Sequence, residues 1–425
     1  MYLEIDPVLA EDRNLSLLRQ ETHRFAMEVI RPAAEKLDRM SDPAQTVAPD
    51  SPYWDVLKEM KNLGYHRIFV DPEYGGLGLS AVEAHVILEE LGWGSVGLTT
   101  AIGVDQVPPG VASIFGMGDV IRDIVEPFVN DSEARYHCCW GMTEPECGSD
   151  YVMVCEESFL PYVRELHCGQ TRAVPEGDSW LINGAKSGWI SSAPAATHVG
   201  LHVTLPPHDC LATGAFCIVP LDQEGVTKGK PIDKLGLRDS PQGDISFDNV
   251  HIPDDYMIIR PPFYQYRIGQ IICVTSCFMA AVFTGLARAA FEEALAYSRQ
   301  RVQGGKPLCE HQSVKQKLYR MFERVESSRY YTRKVMEHVW SKTYVEKTFD
   351  ASSRHALSAQ VYGTNTAFEV AHEALQLHGG YGLTKEFLVE KLFRDARASL
   401  IMDGANDVLG IAAAYNILDE YAADS

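Results

Sequence analysis

The sequence predicts a mainly α-helical protein with a central β domain. Three observations lead to this fold class: helical periodicity at the start of the chain, short strand-like runs in the middle, and long helix-forming segments at the end. A chain of 425 residues is also too long for one small core. We therefore expect an N-terminal α-helical domain over residues 1–138, a middle β domain over 139–264 and a C-terminal helical bundle over 265–425.

The N-terminal zone contains three segments with apolar residues at helical spacing. These segments are residues 15–39, 53–64 and 80–92. Pro32 interrupts the first segment, and Ser80 stands three positions before Glu83, which is the pattern of a capping box. The run from Asp71 to Gly78 predicts a rigid, glycine-rich turn between the second and third helices.

The middle zone alternates short apolar runs with Pro, Gly, Asn and Asp, as strands and turns do. The strand-like runs are residues 180–182, 198–205, 215–221 and 244–250. The dipeptide Asn183-Gly184 follows the first run and predicts a two-residue hairpin turn.

The C-terminal zone returns to long segments of helix formers, which end or pause at glycines. These segments are residues 313–338, 350–378 and 404–422, with a stop signal at 379–382. The stretch 268–290 is nearly all apolar, but it contains Gln270 and Arg288 and continues directly into Phe291-Glu292-Glu293. We interpret it as a buried helix of the bundle and expect no membrane span.

Charge and cysteine content restrict the partners of the protein. The formal net charge is −20, and an acidic surface of this size excludes nucleic acid, whose phosphates need clustered Lys and Arg. The ten cysteines form no CxxC pair and show no metal-ligand spacing, so we expect no metal. The acidic N-terminus lacks the layout of a signal peptide, and we expect reduced thiols and a cytoplasmic protein.

Two segments of the middle zone carry residues that suit a flat, polar ligand. In the segment 142–150, the hydroxyls of Thr143 and Ser149 stand near backbone N–H groups that could hold an anion or the polar edge of a ring. In the segment 186–192, Trp189 lies among small polar residues and could stack on a flat cofactor. The alternatives are a turn that joins two domains and an ordinary core tryptophan.

Two loops of the C-terminal zone carry basic or glycine-rich sequence. Residues 301–307, followed by 310–312, expose basic side chains, and Arg301 could bind a diphosphate in a bidentate manner. Residues 376–382 end a helix in glycines that would let a ligand approach the backbone. The alternatives are a solvated loop and simple C-cap glycines.

Asp403 is the candidate for acid–base chemistry. It follows the apolar pair Ile401-Met402 and precedes Gly404, and a carboxyl group in apolar surroundings has a raised pKa and can serve as a base. The alternative is that Asp403 or Asn406 caps the last helix.

Taken together and in this order, the motifs resemble the acyl-CoA dehydrogenase family. The likeness runs from Phe25 to Asn406 and includes the Pro-Glu-Tyr-Gly-Gly-x-Gly turn at 72–78. It implies an N-terminal helical domain, a middle β-barrel-like domain and a C-terminal four-helix bundle. It also implies a homotetramer with one FAD per subunit, an acyl-CoA substrate, and electron-transferring flavoprotein as the electron acceptor.

The resemblance also assigns residues to the site. Those that would bind FAD are Trp140, Met142, Thr143, Gly148, Ser149, Trp189, Ile190, Ser191, Arg301, Gln303, His311, Gln312, Gln376, Gly379, Gly380, Ala405 and Asp407. Of these, the residues within 301–312 and 376–380 would reach the FAD of a neighbouring subunit. Ser149, Ser276 and Gly404 would contact the substrate.

Asp403 stands where many family members have a catalytic Glu. The resemblance then implies that Asp403 takes the α-proton of the acyl group while the β-hydrogen leaves as hydride to the flavin N5. The backbone N–H of Asp403 or Gly404 would stabilise the developing enolate.

The sequence departs from the family pattern at three places. Asp403 is one methylene shorter than Glu, so the substrate sits closer or carries a bulkier group beside its α-carbon; we favour a cyclic, branched or aryl-substituted acyl group. The run Cys273-Val274-Thr275-Ser276 lacks the usual Asp-x-x-Arg contact to CoA, which leaves a carrier-protein thioester open unless Arg260 or Arg267 substitutes. The segment 151–168 is longer than the matching family loop and either reshapes the mouth of the pocket or is an inert surface excursion.

Two other functions stay open. The chain also resembles nitroalkane oxidases at residues 287–295 and at Asp403-Gly404-x-Asn406, although Gly410 replaces their active-site arginine. The other possibility is a non-catalytic family member that binds an acyl partner.

Overall fold

The computed structural model describes residues 6, 9, 11–153, 169–207, 213–347 and 353–423. Its N-terminal part is helical, as predicted. The helices are α1 (Arg13–Phe25), α2 (Arg31–Asp38), α3 (Pro52–Asn62), α4 (Ala81–Gly94), α5 (Val96–Asp105), α6 (Val107–Phe115) and α7 (Glu126–Val129). A π-helical turn at Ala26–Ile30 joins α1 to α2, and Pro32 lies in the first turn of α2. The interruption predicted at Pro32 is therefore a local change of helix type, because proline lacks the N–H that a continuous α-helix requires.

Helix α4 begins with the predicted capping box. Ser80 Oγ accepts from the Glu83 backbone N–H at 3.3 Å, and the Glu83 carboxylate accepts from the Ser80 N–H at 2.8 Å. The helix is buried on nearly all sides, and a Cβ at Gly92 would overlap the carbonyl of Val282 in the C-terminal bundle. The glycine thus permits close packing of the N-terminal helices against the bundle.

An eight-stranded sheet forms the middle of the molecule. The strands are β1 (Cys138–Gly141), β2 (Arg172–Glu176), β3 (Ser179–Ser191), β4 (His198–Thr204), β5 (Gly214–Pro220), β6 (Val226–Lys228), β7 (Gln242–Pro253) and β8 (Met257–Ile259). Their order is β6-β7-β3-β2-β4-β5-β8, and β1 pairs in parallel with β4. The core of the sheet is built from apolar side chains of β3, β4, β5 and β7.

The hairpin turn predicted at Asn183-Gly184 is wrong. Strand β3 runs through both residues, and the turn between β2 and β3 lies at Gly177-Asp178. The register between β3 and β7 shifts at this dipeptide, and Gly184 has a φ of 136°. A Cβ at Gly184 would lie 2.6 Å from Thr171 Cα, so the glycine serves a β-bulge that lets the neighbouring backbone approach.

The C-terminal part is a helical bundle. A short helix, α8 (Asp150–Met153), lies earlier in the chain, between β1 and β2. The helices of the bundle are α9 (Tyr264–Gln300), α10 (Gln312–Trp340), α11 (Ser353–His378), α12 (Val389–Ser399) and α13 (Asn406–Ala423). A small hairpin of β9 (Val302–Gln303) and β10 (Lys306–Pro307) lies between α9 and α10. Helix α9 is long and apolar enough to cross a membrane, but 89% of its most apolar window is buried inside the protein. It is the core helix of the bundle, as the sequence predicts.

Buried ion pairs join α4 to the bundle. Glu89 binds Arg288 at 3.0 Å and Arg329 at 2.9 Å, and Arg288 also binds Glu90. Burial disfavours the charge on Glu89, but the two guanidinium groups outweigh it and hold the pKa of Glu89 well below its usual range. The N-terminal domain is therefore attached to the bundle by charge as well as by apolar packing.

The cysteines differ from the prediction at one position. Cys147 is disulfide-bonded, and its partner lies outside the described residues. The described free cysteines are Cys138, Cys139, Cys217, Cys273, Cys277 and Cys309. Sequence spacing could not reveal the bond, because pairing depends on the approach of two Cα atoms in the folded chain. The cytoplasmic location stays a prediction.

Candidate active site

Asp403 lies in the segment between α12 and α13, which we call the base loop (residues 400–405). Asp403 has a φ of 58° and Gly404 a φ of 93°, so two successive residues are left-handed. The residue as a whole is exposed, yet protein surrounds its carboxyl group closely enough that desolvation raises its pKa to about 6. It accepts no hydrogen bond from any residue that the structure describes, so Asp403 does not act as a side-chain cap of α13.

The backbone of the base loop is held on both sides of Gly404. Gln360 Nε2 on α11 donates to the Asp403 carbonyl oxygen at 3.1 Å, and the Ala405 N–H donates to Ser149 Oγ at 2.9 Å. Between these contacts, the N–H groups of Asp403 and Gly404 have no acceptor within the described part of the chain. Two free donors therefore accompany a carboxyl group of raised pKa.

The base loop is also tied to α11 beyond Gln360. Asn406 Nδ2 donates to Thr364 Oγ1 at 3.0 Å and to Asn365 Oδ1 at 3.1 Å. Asn406 therefore anchors the start of α13 to the bundle, while Asp407 next to it is exposed.

A buried ion pair shapes the segment 142–150. Lys186 Nζ lies 2.8 Å from the Glu144 carboxylate and also donates to the Met142 carbonyl oxygen at 3.1 Å. The Glu144 carboxylate also accepts from the backbone N–H groups of residues 169–171 at 2.7 to 3.0 Å. Burial works against the charge on Glu144, but Lys186 and these amides outweigh it and lower the pKa of Glu144.

The structure brings the two predicted FAD segments of the middle domain together. The Ser187 N–H donates to the Thr143 carbonyl oxygen at 2.9 Å, so the segment 186–191 runs beside Met142 and Thr143. Of the predicted residues, Ile190 is buried, and Ser191 Oγ accepts from Gln242 Nε2 at 3.1 Å.

These segments fit a flavin ring. The side chain of Trp189 is 60% exposed, which leaves a flat indole face open for stacking. The hydroxyl of Ser187 is buried and has no hydrogen-bond partner among the described residues, as expected for a polar group that a ligand completes. Among the residues that the structure describes, a Cβ at Gly148 would meet Thr143 Cγ2 alone, at 3.8 Å, so this part of the fold leaves the backbone there open to a ligand.

A hydrogen-bond chain that the sequence did not reveal fixes Trp140. The indole Nε1 donates to His202 Nε2 at 2.7 Å, and His202 Nδ1 lies 2.7 Å from the Tyr264 hydroxyl. Because an indole only donates, His202 Nε2 must accept and the imidazole proton sits on Nδ1. Burial lowers the pKa of His202 well below 6.5, so the ring is neutral and holds Trp140 in one orientation.

The segments predicted to reach a neighbouring subunit adjoin each other on the surface. Arg301 Nη2 donates to Gln303 Oε1 at 3.1 Å, and its guanidinium lies 5.7 Å from the ring centroid of Tyr381. His311 Nε2 is 2.9 Å from the Gln303 carbonyl oxygen. The remaining predicted residues here are exposed, namely Gln312, Gln376, Gly379 and Gly380. Their contact with a second subunit stays a prediction.

The residues considered for contact with the CoA end of the substrate are buried or already bound to other side chains. Ser276 is buried within α9. Arg260 binds Asp254 at 2.9 Å, and Arg267 donates to Gln270 at 2.8 Å while its guanidinium lies 4.3 Å from the ring centroid of Phe115. Both arginines are therefore engaged within the protein. Most of the long segment 151–168 lies outside the described residues, so its role stays a prediction.

No group of three or more His, Cys, Asp or Glu side chains that could hold a metal ion occurs in the ranges that the structure describes. The site as described combines one carboxyl group that can act as a base, two free backbone N–H donors and the exposed indole face of Trp189.

Comparison with known families agrees with this fold. The models named acyl-CoA dehydrogenase N-terminal domain, middle domain and C-terminal domain match residues 13–118, 139–250 and 275–418. The chain belongs to the acyl-CoA dehydrogenase family. It is accordingly an FAD-dependent oxidoreductase that acts on CH–CH bonds, as the sequence motifs predict.

Individual relatives match over nearly the whole chain. One is the probable acyl-CoA dehydrogenase YngJ of Bacillus subtilis, which is 29% identical over 95% of this chain and 97% of its own. Another is the 3-(aryl)acrylate reductase of Clostridium sporogenes, which is 25% identical over 95% of this chain and 98% of its own. Among solved structures, butyryl-CoA dehydrogenase from Megasphaera elsdenii superposes with a TM-score of 0.81 at 23% identity, covering 98% of this chain and all of that one.

Proposed function

We propose that Asp403 is the base that removes the α-proton of an acyl thioester. The observation that carries the proposal is the combination of a carboxyl group of raised pKa with two free amide donors beside it. A general base works best when its pKa lies near the working pH, and a pKa of about 6 leaves Asp403 mostly ionised but still basic at neutral pH.

The free N–H groups of Asp403 and Gly404 supply the second requirement. Removal of an α-proton places negative charge on the thioester oxygen, and fixed amide donors stabilise that charge without reorganising. When bound, FAD accepts the hydride that leaves the β-carbon. Trp189, Ser187 and the backbone near Gly148 would hold its ring.

We further propose that the acyl group is cyclic, branched or aryl-substituted. Asp403 reaches one methylene less far than Glu, which suits a substrate whose α-carbon sits close to the loop. The relative named 3-(aryl)acrylate reductase supports the aryl member of this class.

The carrier of the acyl group has two candidates. CoA is the first, in keeping with the family. A thioester on a carrier protein is the second, because Arg260 and Arg267 are already engaged with Asp254, Gln270 and Phe115. Electron-transferring flavoprotein as acceptor and a homotetrameric assembly are further proposals, which reoxidation assays and light scattering on the purified protein would test.

An anaerobic titration of the purified FAD-loaded protein tests the proposed function. The visible spectrum is followed during addition of butyryl-CoA, isovaleryl-CoA, cyclohexanecarbonyl-CoA, 3-phenylpropanoyl-CoA or nitroethane, and the acyl groups are tested again as pantetheine thioesters. We expect the flavin band to bleach with a non-linear acyl group. Bleaching by butyryl-CoA alone would refute the substrate class, and bleaching by nitroethane alone would show an oxidase. A flavin that no compound reduces would show a non-catalytic protein.

A further inference from the structure

Strand β3 is irregular where it carries the exposed indole of Trp189. Its register with β7 shifts between Lys186 and Ile190. Between these two positions, three residues of β3 lie opposite one residue of β7, so the segment 187–189 forms a β-bulge. Backbone groups in a bulge leave the ladder of the sheet and need other hydrogen-bond partners.

The side chain of Gln242 supplies such a partner. Gln242 begins β7, and its Nε2 donates to the Trp189 carbonyl oxygen and to Ser191 Oγ, at 3.1 Å in both cases. One amide group thus binds both ends of the run from Trp189 to Ser191. Because an amide nitrogen carries two hydrogens and only donates, both hydrogens are used on this run.

Lys234 fixes the orientation of the Gln242 amide. Its Nζ donates to Gln242 Oε1 at 2.9 Å and to the Ser240 carbonyl oxygen at 2.6 Å. An ammonium group only donates, so Gln242 must turn its oxygen towards Lys234 and its nitrogen towards β3. The Trp189 carbonyl, which only accepts, requires the same orientation. Both polar atoms of the Gln242 side chain therefore have defined partners.

The bond from Gln242 determines what Ser191 can offer to a ligand. Ser191 Oγ accepts from Gln242, and its hydroxyl proton has no acceptor among the described residues. Ser187 Oγ also lacks a partner in this part of the chain, and the Trp189 side chain is 60% exposed. The bulge and Ser191 therefore present two unused hydroxyl groups beside an open aromatic face, which suits a flat ring with polar edges.

We propose that Gln242 is a positioning residue that holds the bulge 187–189 and Ser191 in the form that receives the flavin ring, with Lys234 setting the orientation of its amide. The inference rests on the proposed function, because it takes Trp189 and Ser187 as residues that hold the ring. Gln242 acts through the backbone of Trp189 and the hydroxyl of Ser191. A binding surface that is held in place before the ligand arrives lowers the cost of binding.

The test uses two substitutions that remove the donor and keep the size of the side chain. Gln242→Met is neutral and cannot donate, and Gln242→Glu still accepts from Lys234 but turns an oxygen towards the Trp189 carbonyl. Gln223→Met is the matched control, because Gln223 lies in the same domain and its Nε2 also donates to a backbone carbonyl, that of Pro220, at 2.8 Å. If Gln242→Met does not fold, Gln242→Glu decides the outcome.

The first measurement is hydrogen–deuterium exchange of the FAD-loaded protein, read by mass spectrometry of the peptides that cover residues 186–193. The bulge loses two side-chain hydrogen bonds in each Gln242 variant. We therefore expect the amides of this segment to exchange at least about 10-fold faster than in the wild type, and Gln223→Met to leave their exchange unchanged.

The second measurement is the rate of FAD release after dilution of the holoenzyme, followed by the rise in flavin fluorescence. The rate should increase about 10- to 100-fold in both Gln242 variants and stay within about 2-fold of the wild type in Gln223→Met. The visible circular dichroism of the bound flavin, recorded at saturating FAD, should also change in the Gln242 variants alone, because this signal depends on the surroundings of the ring.

Three results would overturn the proposal. The first is exchange over residues 186–193 that is the same in the Gln242 variants as in the wild type. The second is faster exchange with an unchanged rate of FAD release, which would show that the bulge does not hold the cofactor. The third is an effect of Gln223→Met equal to that of Gln242→Met.

Two further variants separate this inference from the proposed function. Retained turnover in Asp403→Asn would refute Asp403 as the base without altering exchange or FAD release in the Gln242 variants. FAD release at the wild-type rate in Trp189→Ala would refute the assignment of the flavin face, while the exchange data would still decide whether Gln242 holds the bulge.

Discussion

Replacing Asp403 with Asn changes the chemistry of the site while leaving its shape. The two side chains have nearly the same volume, and the carboxylate accepts no hydrogen bond from the described residues. The contacts that hold the base loop, from Gln360 and Ser149, involve other atoms and remain. We therefore expect Asp403→Asn to fold, to bind FAD as the wild type does, and to differ only in proton transfer.

The expected loss of rate follows from the role of the residue. A positioned general base contributes about 10²- to 10⁴-fold to a rate, so flavin reduction in the Asn variant should slow by at least about 10². The wild-type rate should rise with pH around the pKa of about 6 and level off above it, because only the ionised carboxylate accepts a proton. Stopped-flow reduction under anaerobic conditions, from pH 5 to 8, measures both effects.

The stability of the protein provides an independent check on the same pKa. The folded-state pKa of Asp403 is raised above its ordinary value of 3.8, so ionisation of this group opposes folding. Its contribution to stability is fully present below about pH 4 and is lost as the pH rises through about 6. Asn does not ionise, so the Tm of the variant relative to the wild type should be higher at pH 8 than at pH 4.

Two outcomes would refute this reasoning. A variant that still reduces flavin near the wild-type rate would show that another group takes the α-proton. A Tm difference that does not change between pH 4 and pH 8 would show that the carboxyl group is not desolvated in the folded protein.

Other predictions concern the buried charges and the surface loop. Glu89→Gln leaves the buried Arg329 without its full countercharge, and the free energy of unfolding, measured in urea, should fall by about 3–5 kcal/mol. A urea midpoint equal to that of the wild type would contradict a stabilising ion pair between Glu89 and Arg329. Lys186→Met leaves the buried Glu144 carboxylate without its cation, in the segment beside the proposed flavin face, so the purified variant should lose FAD on gel filtration. Full retention of FAD would show that the Lys186–Glu144 ion pair is dispensable for the site. Arg301→Ala should weaken FAD retention during ultrafiltration, and retention equal to the wild type would refute the diphosphate assignment.

Several features of this protein follow from the sequence by itself. The capping box of Ser80 and Glu83 involves residues three positions apart, and the sequence predicts it correctly. The sequence also predicts that helix α9 is buried, because its run of apolar residues is visible without the fold. The order of helical, β and helical parts follows from the same local periodicities. The family follows from several motifs that occur in a fixed order, each of which is weak when taken singly.

Other features depend on contacts between distant segments. Asn183-Gly184 has the composition of a hairpin turn, but in the fold it forms a bulge in the pairing of β3 with β7, where Thr171, just before β2, lies close to Gly184. Gln360 and Asp403 are 43 positions apart, and no spacing rule connects them.

The physical reason for the difference is the range of the forces that decide each feature. Capping, helical periodicity and turn propensity are interactions within a few residues, and the sequence displays them directly. The bond from Gln360 to the Asp403 carbonyl oxygen, the neutral state of His202 and the raised pKa of Asp403 depend on which groups the fold brings together and how completely it excludes water. The sequence thus determined which residues could carry the chemistry, and the tertiary structure decided how those residues are held.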